Sequence, residues 1–209
     1  YVFVRSGVNW SQQAYIKASN AEASDYLSYS MNLSADGNTL AVGTPYEDSN
    51  AVGINGDQTN NSAVTAGAAY VFSRTGTSWS QQAYIKASNA EANDWFGVML
   101  SLSANGNTLA VGASNDSSNA TGINGDQTNN TVGGSGAVYV FNRSGTSWSQ
   151  QAYIKASTTE PGDSFAWPTL SGDGNTIAVG AFNEYSNATG IGGDQSDNST
   201  WSAGAVYIY

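Results

Sequence analysis

The segment Trp10–Ser19 reads WSQQAYIKAS, and the same ten residues begin again at Trp79 and at Trp148, 69 residues apart each time. Two shorter motifs follow the same order, with GNT at Gly37, Gly106 and Gly174 and GDQ at Gly56, Gly125 and Gly193. A repeat of this length indicates one supersecondary unit used several times, each copy burying its apolar face against the next. We therefore expect a single domain region, 1–209, made of three units at approximately 1–72, 73–141 and 142–209.

The charge balance narrows the range of partners. The chain has six basic and sixteen acidic residues, a formal net charge of −10. Binding to phosphate backbones or anionic membrane surfaces needs clustered Lys and Arg, whereas this chain carries two basic residues per unit. We expect no nucleic-acid partner and no membrane insertion. Because cysteine is absent, disulfides and thiolate metal sites are excluded.

Each unit has the pattern of four β-strands. In the middle unit the apolar stretches Asp94–Ser103 and Thr108–Ala113 flank Asn105-Gly106, a pair that accepts the positive φ angles of a tight hairpin turn. A long Asn/Gly/Ser-rich connection leads to a third strand, Gly136–Phe141. The WSQQAYIKAS segment alternates polar and apolar residues, as a half-exposed outer strand does. No segment has a helical period.

Four antiparallel strands repeated at a fixed period favour a β-propeller over a two-sheet sandwich or a β-solenoid, which has a far shorter repeat. The predicted fold class is all-β, with three tandem four-stranded antiparallel blades of about 69 residues. Propellers typically close with about four to eight blades. We therefore expect further blades of a longer chain or a homo-oligomer to complete the particle, since open strand edges promote association.

One order of motifs resembles a known family. Phe96-Gly97, followed by GNTLAVGA at Gly106–Ala113 and by GAVYVF, resembles the FG-GAP repeat of integrin α-subunit propellers, and still more that of bacterial surface proteins. The resemblance covers essentially the whole chain, although the pairs matching Phe-Gly are Leu27-Ser28 and Phe165-Ala166 in the other units. It implies an extracellular or cell-surface β-propeller that acts in adhesion or recognition.

The resemblance also raises the question of calcium, which integrin-like repeats often hold in an acidic DxDxDG hairpin. The hairpins here keep at most one acid, at Asp36 and Asp173, with Asn105 in the middle unit, so we expect them to turn without metal. The long connections fit calcium better, because they place oxygen-bearing side chains at alternate positions around glycine. The candidate calcium ligands are Glu47, Asn55, Asp57, Thr59, Asn61, Asp116, Asn124, Asp126, Thr128, Asn130, Glu184, Asp194, Ser196 and Asn198. The alternative is that these side chains cap turns in solvated loops.

The three copies differ most in their first strands, which line the central channel of a propeller. Exposed aromatic residues near these strands and on the long connections could stack on the faces of sugar rings. The candidate ligand-binding residues are Tyr26, Tyr46, Trp95, Trp167, Tyr185 and Trp201. The alternative is that the differences serve packing against non-equivalent neighbours. Trp10, Trp79 and Trp148 are expected to pack between blades.

Catalysis is not expected. With no histidine and no cysteine, the chain lacks Ser-His-Asp and Cys-His chemistry, and no two acids stand out as a pair for glycoside hydrolysis. The predicted function is adhesion to, or recognition of, a glycan or protein ligand outside the cell, with calcium as a cofactor that orders the loops. The alternative is a structural subunit of a surface assembly or filament built by association of blade edges.

Overall fold

The computed structural model describes residues 1–209, and every regular element in it is a β-strand. The strands are β1 (Val2–Ser6), β2 (Asn9–Ala14), β3 (Ser30–Leu33), β4 (Thr39–Thr44), β5 (Ala68–Thr75), β6 (Ser78–Ile85), β7 (Phe96–Leu102), β8 (Thr108–Ala113), β9 (Ala137–Ser144), β10 (Ser147–Ile154), β11 (Phe165–Leu170), β12 (Ile177–Ala181) and β13 (Ala205–Ile208). The chain has no helix long and apolar enough to cross a membrane.

The thirteen strands form four antiparallel sheets, in each of which spatial order follows chain order. Strands β3–β6 form a first complete blade and β7–β10 a second, while β1 and β2 form an N-terminal ribbon and β11–β13 a C-terminal partial blade. The predicted all-β architecture of four-stranded antiparallel blades is therefore confirmed. The ribbon supplies the third and fourth strand positions of a blade, and the partial blade supplies the first, second and third.

Short polar turns join the first two strands of each blade. In the first blade, the Asp36 carboxylate accepts hydrogen bonds from the Ser34 hydroxyl, at 2.6 Å, and from the Asn38 backbone N–H, at 2.9 Å. These bonds hold the pKa of Asp36 at about 2, below its ordinary value. Asp173 makes the equivalent contacts in the partial blade. Asp36 and Asp173, the single acids of these turns, thus have their carboxylates hydrogen-bonded by hydroxyl and N–H groups of the same hairpin.

Two glycines allow successive blades to approach each other closely. A Cβ atom on Gly43, in β4, would lie 2.1 Å from the carbonyl oxygen of Gly97, in the first strand of the next blade. Gly97 has φ +90°, and a Cβ there would lie 2.3 Å from the carbonyl oxygen of Ala68. The neighbouring Phe96 is fully buried, with its ring 5.4 Å from that of Tyr139. Phe96-Gly97 and Gly43 are therefore the places at which one blade packs closely against the next.

The repeated tryptophans also connect successive sheets, at their outer strands. The indole N–H of Trp79 donates to the side-chain oxygen of Gln13 at 3.0 Å, and that of Trp148 donates to Gln82 at the same distance. Each bond joins an outer strand to the outer strand of the preceding sheet. Trp79 and Trp148 therefore pack between sheets as predicted, whereas Trp10, in the ribbon, is 66% exposed.

Candidate functional site

Four aromatic side chains form a cluster between the first and second blades. The ring of Tyr46 lies 5.3 Å from that of Tyr26, 6.0 Å from that of Tyr29 and 5.7 Å from that of Trp95, measured between centroids. Tyr26 and Tyr29 are 64% and 53% exposed, while Tyr46 and Trp95 are half-buried. We call these four residues the aromatic cluster. Two largely exposed tyrosines and a half-buried tryptophan thus surround one central tyrosine.

The backbone holds two members of this cluster in an uncommon conformation. Tyr26 has φ +52° and Trp95 has φ +58°, in the left-handed region that bulky residues rarely occupy. The Trp95 N–H donates to the Thr65 carbonyl at 3.1 Å, and its own carbonyl accepts from the Val98 N–H at 3.1 Å. These two hydrogen bonds fix the Trp95 backbone and thereby the position from which its indole side chain extends.

The aromatic cluster occupies positions at which the repeats differ. Tyr46 corresponds to Asn115 and Asn183 in the later units, and the position held by Tyr26 and Trp95 is Ser164 in the third. The outer strands, by contrast, are almost unchanged from unit to unit. The aromatic cluster therefore exists once in the chain. It lies where the three units differ in sequence, whereas their outer strands are almost the same.

The other three predicted ligand-binding residues lie in the C-terminal partial blade and its connection. Trp167 meets Phe182 edge to face at 4.6 Å between centroids, and Tyr185 stacks on Trp201 at 6.5 Å. The structure thus brings Tyr26, Tyr46 and Trp95 together and leaves the remaining three in two separate pairs. Sequence reasoning missed Tyr29, although it belongs to the divergent first-strand region that provided the signal.

The loop residues predicted to bind calcium mostly make local turn contacts. The Asp57 carboxylate accepts from the backbone N–H of Thr59 at 2.9 Å and from its hydroxyl at 2.7 Å. These hydrogen bonds lower the pKa of Asp57. The same turn recurs at the equivalent residue pairs Asp126 with Thr128 and Asp194 with Ser196. This is the turn-capping geometry that was the alternative to a metal site.

The asparagines of the same loops form hydrogen bonds with other residues of the chain. The Asn55 side-chain oxygen accepts from the Tyr84 backbone N–H at 2.9 Å, so the loop clamps the end of β6. The Asn61 amide donates to the Glu22 carboxylate at 2.6 Å. In the later copies Asn124 contacts Tyr153, Asn130 contacts Glu91 and Asn198 contacts Glu160. Asn55 and Asn124 therefore hold the long connections against the ends of the fourth strands, and the other three asparagines hold them against the turns that precede the first strands.

The acids at the start of the long connections lie in the interior. The Glu47 carboxylate is 2.8 Å from the ammonium group of Lys86 and accepts from the Tyr84 hydroxyl at 2.8 Å. Asp116 pairs with Lys155 at 3.0 Å, and Glu184 is also buried. No group of three or more acidic side chains is arranged to hold a metal. This arrangement does not fit a calcium site shared by Glu47 and Asp57, and calcium stays a prediction from the sequence.

A second buried acid follows each outer strand. Asp94 is 7% exposed, and its carboxylate accepts from the Glu91 backbone N–H at 2.8 Å. Burial raises the pKa of Asp94 to about 7, and burial likewise raises the pKa of Asp163 to about 6. These two carboxyl groups stabilise the turn that leads into the first strand of a blade. They are not brought together as a pair that could act in acid–base chemistry.

Two tandem segments of the chain, residues 10–72 and 79–141, match the FG-GAP repeat. The chain belongs to the FG-GAP repeat family. The two matches cover more than half of it and keep the spacing that the repeated outer strand predicts. A search of curated proteins gives no match to this FG-GAP chain. Repeats of this family occur in adhesion and integrin-like β-propeller modules, typically in extracellular or surface proteins and typically without enzymatic activity.

Proposed function

We propose that this FG-GAP chain is an extracellular or cell-surface recognition module that acts in adhesion, and that the aromatic cluster binds its ligand. The observation that carries the proposal is the position of Tyr46 between Tyr26, Tyr29 and Trp95, on a framework whose outer strands repeat almost unchanged. Divergence at partly exposed positions beside a loop is expected where a single copy has gained a contact of its own.

A neutral glycan is the ligand class that this chemistry fits best. Aromatic faces pack against the C–H faces of sugar rings, and partly exposed Tyr and Trp combine an apolar face with a polar edge. The formal net charge of −10 disfavours polyanionic ligands through long-range repulsion. A protein ligand is the other class that the cluster could bind, through aromatic anchors of the kind that dominate interfaces. We propose no catalytic role for the chain.

The experiment is a titration of the chain with neutral oligosaccharides, such as maltohexaose, cellohexaose and mannohexaose, followed by calorimetry. Trp95→Ala and Tyr46→Ala should each weaken binding at least about tenfold, in line with the loss of one stacking contact. Trp10→Ala is the matched control, because it removes an indole that is 66% exposed and outside the cluster. Equal losses in all three variants, or saturable binding of a protein partner but of no glycan, would overturn the glycan assignment.

The alternative function is a structural subunit of a surface assembly built by blade-edge association, since open strand edges are templates for pairing with another chain. Native mass measured over a range of concentrations tests this role separately from ligand binding.

A further inference from the structure

The lysines at the centres of the two complete blades are buried amino groups that ligand recognition does not use. Lys86 and Lys155 are 0% and 1% exposed. Burial lowers the pKa of each lysine more than the neighbouring carboxylate raises it. A lysine that gives up its proton becomes an amine, which is a nucleophile toward carbonyl carbon. The groups around each nitrogen therefore determine whether the lysine only pairs with an acid or also reacts.

In the second blade, one carboxylate holds both the lysine and a side-chain carboxamide. The Lys155 Nζ atom lies 3.0 Å from one carboxylate oxygen of Asp116, and the Asn89 amide donates to the other oxygen at 3.3 Å. The same amide donates to the Gln127 carbonyl at 3.1 Å, and its oxygen accepts from the Tyr139 hydroxyl at 2.6 Å. An amine, a carboxamide and a proton acceptor thus meet at one place inside the blade.

We propose that the second blade closes itself with an amide bond between the Nζ atom of Lys155 and the Cγ atom of Asn89, with release of ammonia. Asp116 transfers the protons, because its two oxygens contact the two reacting groups. Tyr139 activates the carbonyl, because its hydroxyl donates to the oxygen on which negative charge develops. This self-modification is independent of glycan recognition.

The reaction needs no oxidant or reductant. Asp116 takes one proton from the Lys155 ammonium group, the neutral nitrogen attacks Cγ of Asn89, and the carbonyl electron pair moves to Oδ1. Asp116 then protonates the carboxamide nitrogen and accepts a proton from the attacking nitrogen, and the carboxamide C–N bond breaks as the carbonyl re-forms. The departing ammonia takes up the remaining proton, so one ammonium group and one carboxamide become one secondary amide and one ammonium ion. Asp116 is again a carboxylate, hydrogen-bonded at 2.9 Å by the hydroxyls of Tyr139 and Tyr153.

A serine distinguishes this lysine from the one in the first blade. The first blade has an asparagine, an acid and a lysine at the equivalent positions, but the Lys86 ammonium group has one hydrogen-bond partner, Glu47 at 2.8 Å. Lys155 donates in addition to the Ser135 hydroxyl at 2.6 Å, where the first blade has Ala66. Ser135 can hold an N–H of the neutral amine and so fix the direction of its lone pair. We therefore expect the bond at Lys155 and a lasting ion pair at Lys86.

The bond would enclose the whole second blade. Asn89 lies between β6 and β7, and Lys155 directly follows β10, so all four strands of the blade lie between the two joined residues. A covalent link across such a segment restricts the unfolded chain and thereby stabilises the folded one. Force applied along the chain would also pass through the amide bond instead of pulling the four strands apart.

The test is the intact mass of the folded 209-residue chain, measured by high-resolution mass spectrometry. We expect a mass below that of the sequence by one molecule of ammonia. After trypsin digestion, peptide 87–143 should be joined to the peptide that begins at Ser144. That second peptide should remain uncut after Lys155, because trypsin does not cleave at an acylated lysine.

Three variants separate the reaction from the fold. Asp116→Asn keeps both reacting residues but removes the proton acceptor, and Asn89→Thr introduces the residue found at the equivalent position Thr158. Both variants should keep the full mass of their sequences. Asn20→Thr makes the same exchange in the first blade, so it is the matched control and should still lose one ammonia. Circular dichroism checks that each variant is folded, and the mass of the parent chain decides the proposal even where a variant is not.

The contrary results are equally specific. A folded parent chain that keeps its full mass after prolonged incubation would overturn the bond. Loss of water in place of ammonia would show that the lysine has joined an acid, and ammonia loss mapped to Asn105-Gly106 or another Asn-Gly pair would show a succinimide. Either result would overturn the assignment to Asn89. A second ammonia loss, mapped to Asn20 and Lys86, would overturn the role given to Ser135.

Discussion

The Lys86 ammonium group lies 2.8 Å from a Glu47 carboxylate oxygen, and both side chains are at most 1% exposed. The lysine directly follows the fourth strand of the first blade, and the glutamate lies at the start of the connection after the second strand. A charge pair so deeply buried is stable only because each charge satisfies the other. The pair therefore ties the outer strand of a blade to its centre.

Lys86→Met should lower the free energy of unfolding by roughly 3 to 5 kcal/mol, because it leaves the Glu47 carboxylate buried without a cation. Adding Glu47→Gln removes the stranded charge while keeping an acceptor for the Tyr84 hydroxyl. The double variant should regain at least about half of the loss. Urea unfolding measures both changes. A double variant as unstable as the sum of the two single variants would show that the pair is not coupled.

Gly43→Ala should destabilise the contact between the two complete blades by at least about 3 kcal/mol. The new Cβ would lie 2.1 Å from the backbone oxygen of Gly97, and a backbone neighbour cannot rotate away. Gly133→Ala is the matched control, since a Cβ there meets nothing within 4 Å and the φ angle of Gly133 is not positive. Thermal unfolding measures the midpoint temperature of both variants. Equal midpoints for Gly43→Ala and Gly133→Ala would contradict the close approach of the blades.

The buried carboxyl group of Asp94 should make stability depend on pH. Its pKa is about 7 in the folded chain, because burial and the nearby charges of Asp116 and Glu91 raise it more than the hydrogen bond from the Glu91 backbone N–H and the charge of Lys86 lower it. Between about pH 4 and pH 7 the folded state keeps a proton that the unfolded state has released. The free energy of unfolding therefore falls as pH rises through this window, by at most roughly 4 kcal/mol.

Asp94→Asn keeps the acceptor for the Glu91 N–H and removes the titration, so much of this slope should disappear. Urea unfolding at pH 5 and pH 8 measures it in the two proteins. A smaller slope of the same sign should remain from Asp163, whose pKa is about 6. Identical slopes in the variant and the parent chain would show that Asp94 does not hold its proton.

Asp57 should act as a turn cap, with or without calcium. Its carboxylate is bonded to the backbone and hydroxyl of Thr59, and the buried Glu47 is committed to Lys86. Asp57→Ala should lower the melting temperature slightly, and equally in millimolar calcium and in EGTA. A calcium-dependent gain in melting temperature that Asp57→Ala abolishes would instead establish the metal site predicted from the sequence.

The fold was predictable because its signals are local and repeated. Asn105-Gly106 marks a hairpin, and the 69-residue period of WSQQAYIKAS marks the blade. The role of Glu47 was not predictable in the same way, since an acid at the start of a polar loop looks identical whether it faces solvent or the interior. Only the fold brings Lys86, 39 residues away in the chain, to its carboxylate.

The aromatic cluster was predictable in part. Divergence of the first strands pointed to Tyr26 and Trp95, and a place on the long connection pointed to Tyr46. That these three meet, with Tyr29, while Trp167 pairs elsewhere with Phe182 depends on how the blades pack. Sequence spacing contains no information on such contacts between units.

The most direct test of glycan recognition is to follow the six tryptophan indole N–H signals by NMR while a neutral oligosaccharide is added. Each tryptophan gives one signal, and substitution of each residue in turn assigns it. We expect the Trp95 signal to shift saturably while those of Trp10, Trp79 and Trp148 stay in place. Saturable shifts at Trp167 or Trp201 with none at Trp95, or no shift with any oligosaccharide, would contradict it.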